Sequence, residues 1–541
     1  MAYSTKNNKR ASAFDAFHSL IACTTKQGKA LLLVLLSLAS FILSVVIEYL
    51  CYLSVGSTSL GTWYNIYWIG FFFVCGFLLS AFFVFRHDIK TKPENLFLAI
   101  VLSITCFSSI SFSVNETCWD PGSHYLYVLH FAELDLTYEA TVSDMEMAYT
   151  LTNDVYFNLN DLSNYADELN ANDLIKDGKT IKGSILLLYM RLSSLPASLV
   201  FSICSALSVP FSIKYVLTRL IYALIYSFVT FFGMKQLKSG KMLFAVIALL
   251  PVAVFLAANY SYDYWVNAFV LFATACLVRE LQTPDEPITK KRIVLLLGSF
   301  LVVFGPKAIY FPLVLLCLLV PRKKFSSPRA SKLFRGCVVF ISLFVAASFL
   351  FPYFFILGPG VGDTRGGPDV NSTEQILFIL SSPFEYARIL LNNLPGYYSF
   401  SVAKNYISYY AYLGYPQWPL WILVYALMVF TAITDKSEVD NAVCTWKSRV
   451  LALVLNVVSL ILVLTAFYVA FTAVRSEIFA GCQPRYLIPQ LFCTLVFLSS
   501  HRLAWPRKND TKKTIYNATV LGLMSFVLMV GLWQVYIGLL Y

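Results

Sequence analysis

Long apolar runs alternate along the chain with short polar connections that carry lysine and arginine. A helix needs roughly 20 mainly apolar residues to cross a bilayer, and the runs at 31–54, 63–85 and 96–114 reach that length. Residues 1–30 are polar, hold Lys6, Lys9, Arg10, Lys26 and Lys29, and show no cleavage site. The first run is therefore read as a retained span and not as the core of a signal peptide. A polar, acidic stretch covers 115–183. Further runs lie near 215–234, 243–258, 264–279, 293–305, 308–320, 336–357, 418–433, 450–474, 486–500 and 515–538. The pattern predicts an all-α polytopic membrane protein with about 13 transmembrane helices and two large extracytoplasmic loops.

Composition agrees. Of the 541 residues, 58% are hydrophobic and 13% charged, with a mean hydropathy of +0.67. No water-soluble globule covers so much apolar surface, which excludes disorder, fibres and ordinary cytosolic enzymes. The net charge of +11 is not a nucleic-acid signal, because Lys and Arg collect on the cytoplasmic loops of membrane proteins. With the N-terminus cytoplasmic and the C-terminus extracytoplasmic, the inner segments hold 29 of the 41 basic residues, and 115–214 alone holds 13 of the 30 acids. The apolar stretch 184–210 would reverse this order if it spanned, placing Lys235, Lys238 and Lys241 outside, and with them Arg322, Lys323 and Lys324. Leu186 to Pro210 is therefore expected to be a helix along the outer face, broken at Pro196.

The chain then divides into a cytoplasmic segment (1–30), three N-terminal spans (31–114), an acidic outer loop with its interfacial helix (115–214), spans four to nine (215–357), a second outer loop (358–417) and spans ten to thirteen (418–541). The second loop opens with Gly, Pro and Asp between Gly358 and Asp369. It ends rich in tyrosine, with Tyr397, Tyr398, Tyr406, Tyr409, Tyr410, Tyr412 and Tyr415. These tyrosines read first as an interfacial belt and second as a sugar-stacking platform. No internal repeat has matched halves, which disfavours an inverted-repeat transporter.

Four short motifs fall at the same predicted face: Trp119-Asp120-Pro121-Gly122-Ser123-His124, Asn259-Tyr260-Ser261-Tyr262-Asp263, Gly305-Pro306-Lys307 and Gly481-Cys482-Gln483-Pro484-Arg485-Tyr486. Ionisable residues at span ends are costly unless paired, and so are functional candidates. Each also has a plainer reading. Asp120 before a proline suits a helix N-cap, Asp263 suits a solvated turn, and Lys307 and Arg485 suit snorkelling to the interface. Glu48 is placed near the outer end of the first span, reaching the interface. The acids from Glu133 to Asp177 are more simply a solvated surface than a metal site. The 12 cysteines include no Cys-x-x-Cys pair, and no phosphate-binding glycine loop or His-Glu-x-x-His pattern occurs.

The ordered motifs resemble a bacterial family of polytopic membrane proteins, domain of unknown function 2142. Asp120-Pro121-Gly122-Ser123-His124-Tyr125 looks like the family's Asp-Glu-Pro-Ala-His-Phe motif, and Leu195-Pro196-Ala197-Ser198 its Leu-Pro-x-Ala segment. Leu249-Leu250-Pro251 with Ser261-Tyr262-Asp263 matches a Leu-Leu-Pro…Ser-Tyr-Asp stretch. Lys307 to Pro312 and Pro321-Arg322-Lys323-Lys324 resemble its Lys-Pro-Pro-Tyr-Leu-Pro turn and basic run. Gly481 to Pro489 is similar to its Gly-x-Gln-Gly-Arg-Tyr-x-x-Pro box. The likeness covers roughly 115–500. Pro121 stands where the family has a second acid, and Pro484 replaces a glycine.

The family looks like a branch of the GT-C-fold membrane glycosyltransferases, which use polyprenyl-phosphate-linked sugars and keep an essential acid in the first large outer loop. That resemblance implies a bacterial cell-membrane enzyme moving a sugar from such a donor to a cell-surface glycan or glycolipid. In this reading Asp120 is the general base and His124 orients it or binds the acceptor. Lys307 and Arg485, the latter two-pronged, hold the lipid phosphate, with Asp263, Tyr262 and Gln483 as further substrate contacts. No cofactor is called for with certainty. A divalent cation stays open, one acid and one histidine making a poor oxygen cage. Cys118 and Cys482 lie beside the two halves of the site and are candidates for a disulfide clamping them together. Three rivals remain: a lipid-linked oligosaccharide flippase, which has no need of Asp120; a polysaccharide polymerase or ligase built on His124 and Arg485; and a non-catalytic scaffold.

Overall fold

A computed structural model describes residues 25–55, 65–111, 118–132, 137–139, 142–152, 159–172, 180–182, 189–355, 366–397, 407–414, 416, 420–500 and 510–535. The chain is a helical, polytopic membrane protein. Among the described residues eight helices are long and apolar enough to cross a membrane, and four shorter apolar helices accompany them.

Three N-terminal helices come first: α1 (Lys26–Val55), α2 (Ile66–Phe85) and α3 (Pro93–Ser111). The α1 helix packs along α2 and otherwise presents a continuous apolar face, with Leu35, Ile42 and Leu50 about half exposed or more, as suits a helix set in lipid. Where α1 and α2 meet, Gly76 lies against Ser40, and a Cβ there would collide with the serine. Glu48 does not reach out to solvent as expected. It is 3% exposed and accepts the Asn65 N–H at 3.0 Å, and Asn65 in turn caps α2 through Tyr67 and Trp68.

The first large loop is itself folded. It contains α4 (Pro121–Ala132), α5 (Val142–Thr152), α6 (Leu159–Asn172), an antiparallel ribbon of β1 (Thr137–Glu139) with β2 (Thr180–Lys182), and α7 (Leu195–Ala206). In the ribbon Tyr138 stands opposite Ile181. Pro196 sits in the first turn of α7, where its missing N–H is not needed, so it starts the helix where a break was expected. Much of the acidic run between Glu133 and Asp177 falls outside the described residues.

Next come α8 (Phe211–Gln236), α9 (Lys241–Ala248), α10 (Pro251–Ala257), α11 (Asp263–Gln282) and α12 (Lys290–Phe304). The expected span 243–258 is thus two short helices. Pro251 cannot continue the ladder of α9 and opens α10 instead. Apart from Lys241 at the start of α9, every residue of both pieces is buried. The run 308–320 forms a 3-10 helix, Ala308–Leu319, with Pro312 inside it. Twelve residues is long for this geometry, which usually runs to three or four. It packs between α13 (Pro328–Phe355) and α17 (Trp446–Phe471). The remaining helices are α14 (Ser372–Ser381), α15 (Pro383–Tyr397), α16 (Leu420–Thr434), α18 (Ile488–Leu498) and α19 (Asp510–Val535). At 11 residues α18 covers only about 16 Å, short of a full crossing.

The bundle end away from the four motifs is tied by ions and caps. Glu280 takes Arg292 at 2.6 Å and Lys324 at 3.1 Å, and Lys241 pairs with Glu94 at 2.8 Å. The Asp435 carboxylate accepts the N–H groups of Met242 and Leu243 and so caps α9. These links fix the depth of each helix, which sets where the opposite ends meet.

Candidate functional site

Each of the four motifs lies at a helix end. Pro121, with φ preset for the first helical position, opens α4, and Asp120 stands just before it at φ +57°. A non-glycine residue rarely adopts this left-handed region; Asp is among the few that tolerate it, and the strain marks a constrained position. One turn later the His124 N–H donates to the Asp120 carbonyl at 3.2 Å, so the two side chains share one side of the helix start.

The second motif joins α10 to α11. The Asp263 N–H donates to the Ser261 hydroxyl at 3.1 Å, and the hydroxyl also lies 3.3 Å from the Asp263 carboxylate. A carboxylate in the first turn of α11 faces the positive end of the helix. The turn is held from behind by Arg219 of α8, fully buried, whose guanidinium donates to the carbonyls of Ala258 at 2.9 Å and Ser108 at 3.3 Å. In the third motif Gly305 passes so close to the Tyr189 carbonyl that a Cβ has no room. In the fourth, Gly481 has φ +74° and lies against the Phe471 ring, so only glycine fits.

The helix ends bring one cluster together. The Asp263 carboxylate is 5% exposed and sits between two cations, 3.1 Å from Lys307 Nζ and 3.5 Å from Arg485 Nε. The other edge of the Arg485 guanidinium is 3.5 Å from Asp120 and donates to the Tyr486 hydroxyl at 3.0 Å. Its flat face lies 4.4 Å from the Trp119 ring. Lys307 Nζ is 3.6 Å from the Tyr486 ring and 4.9 Å from that of Tyr262. Tyr486 therefore touches both cations, one through its ring and one through its hydroxyl. Tyr310 pins it by donating to its carbonyl at 2.5 Å.

Beside the cluster lies a cavity of about 560 Å³, within the range of small-molecule sites. One part of its wall is polar: Asp120, Ser123, His124, Lys307, Gln483 and Tyr486. Another is apolar, with Ile309, Ala466, Phe467, Ala470 and Phe471. Burial holds the His124 imidazolium down to a pKa of about 4, against the pull of Asp120 and Asp263, so this histidine is neutral near pH 7. Burial likewise lowers Lys307 to about 8, with Asp263 opposing that fall, and the lysine is cationic at neutral pH. Among the described residues, the Gln483 amide oxygen and Arg485 Nε and Nη1 are buried without a hydrogen-bond partner. No group of three or more metal-ligating side chains occurs among them.

Asp120, His124, Tyr262, Lys307 and Gln483 all line the cavity as a set. Asp263 and Arg485 are placed differently from expectation. Asp263 is a buried counter-ion behind the wall. The guanidinium of Arg485, 4% exposed, is turned to Asp120, Asp263 and Tyr486, because two carboxylates within 3.5 Å compete for its donors. The two-pronged grip on a ligand is therefore not its arrangement here. Cys118 and Cys482, the candidate disulfide pair, are both free thiols in this structure. Burial pushes the Cys118 thiol up to about 12. Arg485, between Trp119 and the two acids, joins the loops instead.

Of the tyrosine-rich stretch, Tyr398, Tyr406 and Tyr415 lie outside the described residues, as does the Tyr397 side chain. Tyr409 and Tyr410 face inward, where a belt would face lipid headgroups. Tyr409 lies 5.6 Å from the Trp119 ring and Tyr410 is 1% exposed. Tyr412 lines the cavity. Residues not singled out from sequence are Trp119 as the stacking partner of Arg485, Tyr486 as the hub of both cations, Tyr310, and Arg219. Only Arg219 left a usable signal, a charge inside an apolar span.

Residues 152–494, more than half the chain, match the model of the predicted membrane protein family DUF2142, and the chain belongs to that family. The match takes in the second, third and fourth motifs; Asp120 and His124 lie before it, so the expected likeness from residue 115 is shortened. No curated protein and no solved structure matches the chain.

Proposed function

We propose that this DUF2142 membrane protein is a glycosyltransferase that moves a sugar from a polyprenyl-phosphate donor to a glycan or glycolipid acceptor at the extracytoplasmic face. The observation that carries this reading is the cavity itself. One wall offers a carboxylate, a neutral imidazole and a cation, and another is apolar, which suits an amphiphile with an anionic head. Basic residues concentrated at the other end of the bundle support the outward orientation. Nucleotide sugars are scarce outside the cytoplasm, and a lipid-linked donor meets that constraint.

The donor phosphate would lie against Lys307 Nζ, with Gln483 beside it. The acceptor hydroxyl attacks the anomeric carbon while the bond from that carbon to the phosphate oxygen breaks. The bonding pair leaves with the phosphate, where Lys307 offsets the growing charge. Asp120 takes the hydroxyl proton. Arg485 holds the Asp120 carboxylate in place from 3.5 Å, and neutral His124 on the same helix start orients the acceptor through a hydrogen bond. No metal enters this scheme.

The test is transfer by purified protein in liposomes from a panel of polyprenyl phosphosugars, with and without Lys307→Met. Wild type should form a glycosidic bond, and the variant should lose about two orders of magnitude, as when one oxyanion donor is removed. Movement of lipid-linked sugar across the bilayer with no bond formed would instead support a flippase.

A further inference from the structure

Asp120, Ser123, His124 and Tyr127 are spaced as one stripe at the start of α4, and all four line the cavity. The proposed base stands at one end of the stripe. Tyr127 stands at the other, roughly 9 Å of helix beyond Pro121. A cation lies on it: the Arg191 guanidinium is 4.4 Å from the centre of the Tyr127 ring. The segment that bears Arg191 is fixed on both sides. The Tyr189 hydroxyl donates to the Leu301 carbonyl at 2.7 Å, and the Ser193 carbonyl accepts the Tyr264 hydroxyl at 2.6 Å. Met190, next to Arg191, is part of the cavity wall. Ring contacts run in series from one cation to the other. Lys307 Nζ is 4.9 Å from the Tyr262 ring, that ring is 4.8 Å from His124, and His124 is 6.0 Å from Tyr127. Lys307 and Arg191 therefore stand at the two ends of a series of three rings.

Lys307 and Arg485 each have a carboxylate within 3.5 Å. Arg191 differs. The loop 115–214 holds 13 acids, yet among the described residues no carboxylate pairs with it. Its Nη1 is buried without a hydrogen-bond partner, while the side chain as a whole is partly exposed and so within reach of a ligand. A guanidinium cannot shed its proton in a protein. Leaving such a charge partly buried and uncompensated is costly, and the stack on Tyr127 offsets only part of that cost. We propose that Arg191 and Tyr127 form an anion subsite for the acceptor, which is then an acidic glycan or glycolipid with a carboxylate or phosphate beyond its attacking hydroxyl. This rests on the reading of the cavity as a glycosyltransferase site with Asp120 as the base. A planar guanidinium matches either acidic group. The attacking hydroxyl belongs at Asp120 and the donor phosphate at Lys307, across the ring series from Arg191. The acid that pairs with Arg191 is therefore the acceptor's. A neutral acceptor would leave Arg191 unpaired, so the same subsite discriminates against it.

The test uses binding by purified protein in a maltoside detergent, so it is independent of sugar transfer. The probes are an oligogalacturonate, a phosphorylated oligomannose, their uncharged counterparts (the methyl ester and the unphosphorylated sugar) and polyprenyl phosphate without sugar. At least one acidic oligosaccharide should bind roughly tenfold or more tighter than its uncharged counterpart, and which one does so identifies the acidic group. Arg191→Gln, checked for folding by its melting temperature, should erase that preference and leave polyprenyl phosphate binding unchanged. Lys307→Met should do the reverse. Excess phosphatidylglycerol should not displace the acidic oligosaccharide. No preference for either acid in wild type, or a preference that survives Arg191→Gln, would overturn the subsite. Equal loss of polyprenyl phosphate binding in Arg191→Gln and Lys307→Met would overturn it too, by placing Arg191 at the donor. Displacement by phosphatidylglycerol would overturn it by making Arg191 a headgroup contact. A preference that depends on Arg191, without glycosidic bond formation, would keep the subsite and refute the glycosyltransferase.

Discussion

Asp263→Asn removes one charge and nearly no volume, and its consequence follows from two distances. The carboxylate lies 3.1 Å from Lys307 and 3.5 Å from Arg485, with all three side chains less than a tenth exposed. At an effective dielectric constant of about 20, each attraction is worth about 5 kcal/mol before desolvation is subtracted. Breaking a buried pair by removing one partner usually costs about 3–5 kcal/mol. Lys307, unlike Arg485, can shed its proton. Burial has already lowered it to about 8, and Asp263 is the main force resisting further decline. If only a quarter of the lost attraction falls on the lysine, its pKa drops by about one unit, since one unit is about 1.4 kcal/mol. A cationic lysine is needed for phosphate, so kcat/KM falls as pH rises through that pKa. The alkaline limb of the pH profile should therefore lie near 8 in wild type and below about 7 in Asp263→Asn. Asp263→Glu should bring it most of the way back. A folded Asn variant with its limb still near 8 would show that Asp263 does not set the charge of Lys307.

Three further outcomes follow from the same geometry. Tyr486→Phe keeps the ring under Lys307 but removes the hydroxyl from Arg485, and should lower transfer roughly tenfold; Tyr486→Leu removes both and should cost roughly a hundredfold or more. Gly481→Ala forces a methyl group against Phe471 at positive φ, which should destabilise the protein by roughly 2–4 kcal/mol and is measured as a lower melting temperature in detergent. His124 is held neutral down to about pH 4 when folded, whereas the unfolded chain takes up the proton near 6.5. Stability is therefore fully present above 6.5 and declines as pH falls toward 4, and His124→Gln should flatten that part of a melting-temperature profile.

The sequence made the site visible for a physical reason. Charges and tight-turn residues at the ends of apolar spans are costly, so Asp120, Asp263, Lys307 and Arg485 stood out one by one. That the four motifs share one face follows from helix direction, but that they meet at one cavity is decided by how the helices pack side by side. The partners of those charges were not legible. Trp119 and Tyr486 are two of 88 aromatics, and nothing in periodicity distinguishes a ring that carries a cation from one that fills space. The orientation of Arg485 depends on which carboxylates come within reach, and that is decided by packing of segments more than 200 residues apart. Long spans such as α8 and α17 were plain from their length. The break at Pro251 and the 3-10 helix after Lys307 were masked by runs as apolar as any span, because complete burial, like lipid, favours uniform hydrophobicity.

The most direct measurement is sugar transfer in liposomes from polyprenyl phosphosugars to a cell-envelope glycan extract, comparing wild type with Asp120→Asn. The variant keeps the shape of the side chain beside Arg485 and loses only its ability to take a proton. Glycosidic bond formation by wild type that falls roughly a hundredfold or more in Asp120→Asn is the predicted result. Equal transfer by both proteins would contradict the role of Asp120 as the base, and absence of any transfer by a folded wild type across the panel would contradict the glycosyltransferase itself.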